Sequence, residues 1–136
     1  MTKALLRIQS PDEAEVVFYE AFMRGDIEVM SALWADDDVV CVHPGSGIIS
    51  GYESVMRSWR HILEDSHGVE IRYNIMKKTQ TDSLAVHMVA EEIIDNSITA
   101  AIVISTNVYR RFKQGWMIVE HHGSVIQQER KGETLQ

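Results

Sequence analysis

Two stretches of this chain carry side chains able to move protons at a spacing that brings them together. Near the C-terminus, Glu120-His121-His122 lies in a strand-like segment that follows another containing Asn107 and Tyr109. With Gln114-Gly115 as a two-residue turn, Lys113 pairs with Trp116, and the register runs inward from there. Tyr109 then falls opposite Glu120, Asn107 opposite His122 and Ser105 opposite Ser124. One hairpin face collects Asn107, Tyr109, Trp116, Ile118, Glu120, His122 and Ser124. An asparagine facing a histidine fixes the imidazole tautomer and aims the other ring nitrogen at a ligand. The same spacing also suits a core or interface histidine satisfied by its neighbours, and on spacing alone that reading stands ahead.

The second stretch is Leu84 to Ile94, an apolar run that ends with Glu91 and Glu92. Leu84, Val86, Met88, Ala90 and Ile94 share a face with Glu92, while His87 shares the other with Glu91. A carboxyl on an apolar face has its pKa raised, which is what a general base requires. The competing reading is a strand emerging from the core, with both acids solvated. His122, Glu92 and Asn107 are therefore the candidate catalytic residues, with Trp34, His43, Trp59, Tyr109 and Glu120 as candidate ligand contacts. The chain has no Gly-rich phosphate loop, HExxH, CxxC or G-x-S-x-G elbow. Six histidines occur at no spacing that specifies a metal site, so neither a metal nor a cofactor is expected.

The 136 residues suffice for one domain with its own core. A net charge of -7, with nine acidic and three basic residues among the first forty, disfavours a nucleic-acid partner. One cysteine, Cys41, cannot form an internal bridge, and no apolar run reaches the ~20 residues of a membrane span. Without a recognisable leader in MTKALLRIQS, a cytoplasmic protein is expected.

The elements that must position these residues can be read in order. Ser10-Pro11-Asp12-Glu13 has the cap, the N1 proline and the capping-box glutamate of a helix start, and Ala14, Val17, Phe18, Ala21 and Phe22 form its apolar stripe. Gly25 stops it, and Asp26 caps a second short helix through Trp34. Val39 to Val42 reads as a short strand closed by the His43-Pro44-Gly45 loop, and a third helix follows Gly51. Strands are expected over roughly 68–79, 84–94, 98–112 and 116–127, joined by turns at 80–83, 95–97 and 114–115. Helices first and antiparallel strands last argue an α+β domain over 1–128, with the helices on the concave face of a curved sheet. A polar tail covers 129–136.

With these residues in place, the chain resembles the nuclear transport factor 2-like superfamily and, within it, the SnoaL-like domains. The stretches FYEAFMRGDIEVMSALWADDDVVCVHPG, GYESVMRSWRHIL and TNVYRRFKQGWMIVEHHGS carry the resemblance. It implies a cone-shaped domain with an apolar pocket, dimerised through its sheet. Related folds include ketosteroid isomerases, polyketide cyclases and dehydratases, which abstract a proton beside a carbonyl, and also non-catalytic association domains. The expectation is a homodimer that binds a small, partly apolar organic molecule. Isomerisation, cyclisation or dehydration would run on His122 or Glu92, with Asn107 orienting the base. A dimerisation or protein-interaction domain is the alternative.

Overall fold

The computed structural model describes residues 5–65, 69–130 and 133–134. Helix α1 (Pro11–Arg24) starts as its sequence requires. The Ser10 side chain accepts from the Glu13 amide, and Gly25 closes the helix in the left-handed region at φ 67°. Helix α2 (Ile27–Leu33) is capped by Asp26, whose side chain accepts from the Val29 amide. Strands β1 (Val40–Val42) and β2 (Ile49–Ser50) precede helix α3 (Tyr52–Asp65). Four long strands follow: β3 (Glu70–Gln80), β4 (Leu84–Asp95), β5 (Ile98–Phe112) and β6 (Gly115–Arg130). The polar stretch expected as a tail continues in part as strand, because β7 (Glu133–Thr134) pairs back onto the end of β6.

The sheet runs β2-β1-β6-β5-β4-β3, curved and unclosed, with the three helices packed on one face. This is the α+β fold expected, with one departure in direction. β1 pairs parallel to β6, Val40 to Glu120 through Val42 to His122, with β2, α3 and strands β3–β5 between the two along the chain. The β4–β5 turn at Asn96 and Ser97, with φ 51° and 66°, has the two positive angles that keep a two-residue hairpin in step with strand twist.

The β5–β6 hairpin departs further. Phe112 pairs with Gly115 and Tyr109 with Ile118, so the turn residues are Lys113-Gln114 rather than Gln114-Gly115. Between Val108 and Tyr109 the register shifts, with Val108 opposite Glu120. One extra β6 residue, Val119, sits in this bulge, and beyond it Asn107 faces His121 and Ser105 faces Gly123. The expected pairings of Asn107 with His122 and Ser105 with Ser124 are therefore corrected by one residue, which inverts the face of every later side chain.

Phe18, Trp34, Trp59, Val55, Tyr109 and Ile118 are fully buried between helices and sheet. Phe18 meets Trp59 edge-on at 5.4 Å, and Phe22 does so at 5.1 Å, locking α1 against α3. Gly115 must be glycine, because a Cβ there would stand 2.7 Å from the Ile8 carbonyl oxygen.

Candidate functional site

The inward faces of β4, β5 and β6 carry His87, Glu91, Ser105, Asn107, Tyr109 and His121, all buried. Three of these form a chain with Tyr19 of α1. The Tyr19 hydroxyl donates to Glu91 Oε2 at 2.5 Å, and Asn107 Nδ2 donates to Tyr19 Oη at 3.1 Å. Asn107 Oδ1 lies 2.6 Å from His121 Nδ1. An amide oxygen can only accept, so Nδ1 of His121 holds the ring proton and Nε2 is left with its lone pair. No described residue hydrogen-bonds to that Nε2.

A cavity of about 390 Å³ opens at the end of this chain. Phe22, Ile62, Ile93, Val103 and Val125 supply apolar walls, while Glu91, His43 and His121 supply the polar ones. Trp59 stands behind both imidazoles, with centroids 4.8 Å from His43 and 5.7 Å from His121. The Pro44 loop reaches the cavity because β6 has a glycine at 123, where an added Cβ would lie 3.3 Å from the proline ring.

Burial sets the electrostatics. It lowers the His121 pKa to about 3, assisted by the neighbouring His43 and His122, and lowers that of His43 to about 4. Both rings are neutral at ordinary pH. Burial also raises the Glu91 carboxyl above the usual range, while the hydrogen bond from Tyr19 pulls it back down. The Cys41 thiol beside His43 is pushed up to about 12, so it holds its proton and is no nucleophile.

A second buried group lies further under α1. Glu15 Oε2 takes bonds from His87 Nδ1 at 2.6 Å and from the Tyr109 hydroxyl at 3.1 Å. At the surface end of this group, Lys78 bridges to Asp12 at 2.8 Å. Among the described residues, no group of three or more His, Cys, Asp or Glu is arranged to hold a metal ion. Nor is any described helix long and apolar enough to cross a membrane.

The structure scatters the residues singled out in the sequence. Asn107 is buried in the chain described above, but its partner is His121. His122 and Glu120 are exposed on the outer face of the sheet, where the bulge sends them. Glu92 is also on that face, half-buried, and accepts a hydrogen bond from the Thr99 hydroxyl. His43 lines the cavity and Trp59 backs it. Tyr109 points inward yet serves Glu15, and Trp34 is buried in the core against the backbone of Ile118. Glu91, His121, Tyr19 and Glu15 were missed. Glu15 and Tyr19 stand four apart beside Phe18 and Phe22, a spacing that sets them on the buried side of α1.

Residues 13–128 match the family model for the SnoaL-like domain. The chain belongs to this family, and its fold is that of nuclear transport factor 2-like proteins. A structure from Thiobacillus denitrificans, a candidate calcium/calmodulin-dependent protein kinase type II association domain, is 30% identical with a TM-score of 0.83, covering 88% of this chain and 98% of that one. A candidate dehydratase of the NTF2-like family from Streptomyces avermitilis is 32% identical with a TM-score of 0.76, covering 83% and 91%. The Arabidopsis thaliana F-box protein SKIP8 is 28% identical over 111 residues, which are 80% of this chain. The chain spans only 46% of that relative's length.

Proposed function

We propose that this SnoaL-like domain binds a small, largely apolar organic molecule in the cavity between α1, α3 and strands β4–β6. The observation that carries this reading is the buried chain Glu91–Tyr19–Asn107–His121, both ends of which open on one apolar cavity. Apolar walls with a few fixed polar groups are the usual make-up of a ligand site. Proton transfer on the bound molecule falls to Glu91. As a carboxylate, Glu91 takes a proton from a carbon beside a carbonyl and returns it to another carbon of the same molecule. The product is an isomer, and no co-reactant is consumed. Similarity to a candidate dehydratase supports an enzymatic reading of this cavity.

A thermal-shift screen against a metabolite library tests the reading on wild type, His121→Leu and His122→Ala. A ligand at a hundredfold excess over its Kd adds roughly 2.7 kcal/mol of stability. Hits should stabilise the wild type and His122→Ala equally and His121→Leu clearly less. Hits that stabilise His121→Leu as much as the wild type would remove the cavity from the account.

The outer face of the sheet supports a second, compatible role, self-association as a homodimer. Leu84 and Met88 are exposed there, beside half-buried Val86, Ala90, Ile104 and Val108. Similarity to a candidate association domain points the same way. The lone buried thiol of Cys41 suits a reducing, cytoplasmic setting.

A further inference from the structure

The two imidazoles of the cavity are not equivalent to two generic polar groups, because each has its ring proton committed to the protein. His121 donates from Nδ1 to Asn107, as above. For His43, Nε2 lies 2.9 Å from Ser58 Oγ, and the single Ser58 proton goes to the Val55 carbonyl oxygen at 2.7 Å. Ser58 must therefore accept, so His43 carries its proton on Nε2. Among the described residues, the polar group near its Nδ1 is the Cys41 thiol at 3.9 Å, which stands closer to Nε2, at 3.6 Å. The rings stand with centroids 6.4 Å apart on the wall of the same cavity. The third polar lining residue is a carboxyl, Glu91, and among the described residues no lysine or arginine lines this cavity.

We infer that the ligand is a neutral organic molecule carrying a hydroxyl, an alcohol or phenol, which it donates to His121 Nε2 while its apolar body fills the rest of the cavity. This rests on the cavity being a ligand site and goes beyond it by fixing the ligand's chemical class. A carboxylate or phosphate would meet lone pairs, a carboxyl group and no cation, with its hydration lost on entry. An ether or hydrocarbon of the same shape fits the walls but leaves His121 Nε2 buried without a donor. Lowering of both imidazole pKa values keeps His121 Nε2 and His43 Nδ1 unprotonated near neutrality.

The test uses naphthol, its methyl ether and naphthoate, three probes with one ring system, titrated calorimetrically into the wild-type protein near neutral pH. A phenol is un-ionised there, since its pKa is about 10. Naphthol should bind roughly tenfold more tightly than the ether, and naphthoate more weakly than both. In His121→Leu the naphthol preference over the ether should shrink to within about twofold. Equal binding of the ether, or tighter binding of naphthoate, overturns the inference and leaves the cavity a ligand site of another class. Failure of all three probes to bind overturns the cavity reading and this inference together.

Discussion

Replacing Tyr19 by phenylalanine removes one oxygen that serves two partners. Its hydroxyl donates to Glu91 and accepts from Asn107, at 2.5 and 3.1 Å. Loss of the acceptor leaves the Asn107 Nδ2 proton buried with no partner, at about 1–3 kcal/mol. Loss of the donor strips Glu91 of a bond that lowers its pKa, a cost the carboxyl offsets in part by taking up a proton. The combined effect is about 2–4 kcal/mol of lost stability, or roughly 6–16 °C in Tm for a domain of this size. Tyr73→Phe is the matched control, because that ring stacks on Tyr19 at 4.1 Å and changes by the same single oxygen. Urea denaturation of both variants near neutral pH gives the two costs directly. A Tyr19→Phe loss below about 0.5 kcal/mol, or one equal to that of Tyr73→Phe, would refute the idea that Tyr19 holds the chain together.

His121 has a folded pKa of about 3, below the ordinary histidine value near 6.5, so the native state favours its neutral form. The associated stability is full above about pH 6.5 and disappears as the pH falls towards 3; His121→Gln should therefore flatten the acid limb of a stability–pH curve. Glu91 behaves in the opposite sense. Its pKa is raised on folding, so stability falls as the pH rises through that value. Glu91→Gln, which keeps an acceptor for Tyr19, should match or exceed wild type in chemical denaturation near pH 8 while abolishing any proton transfer. Met88→Lys places a charge on the exposed apolar face of the sheet and should convert the proposed dimer to a monomer by light scattering, with Tm for the monomer otherwise close to wild type.

Local signals in the sequence carried most of the fold. The Ser10-Pro11 start of α1, the Gly25 stop, the Asn96-Ser97 turn and the start of α3 after Gly51 each depend on a few neighbouring residues, and each stands where its chemistry requires. Of the residues singled out, His43 lines the cavity, Trp59 packs against it and Asn107 joins the buried hydrogen-bonded chain, whereas His122 and Glu92 face outward and His121 and Glu91, one residue earlier in each case, face inward. Two physical causes account for this. The extra residue at Val119 carries no glycine or other local mark, and one unmarked bulge inverts a strand. In β4 both faces are apolar enough to be read as core. The outward Val86, Met88 and Ala90 disguise a surface, and the inward His87 and Glu91 disguise an interior. Polar residues on an inward face are the mark of a site rather than a fault in the pattern.

The most direct test is a long-range proton–nitrogen correlation spectrum of the histidine rings, recorded from about pH 8 to about pH 4 with and without naphthol. His121 should stay neutral as the Nδ1–H tautomer over that range. Naphthol should shift the His121 Nε2 resonance and leave His122 unmoved. A His121 ring that gains a proton near the ordinary histidine value, or a ligand shift at His122 and none at His121, would contradict the proposed site.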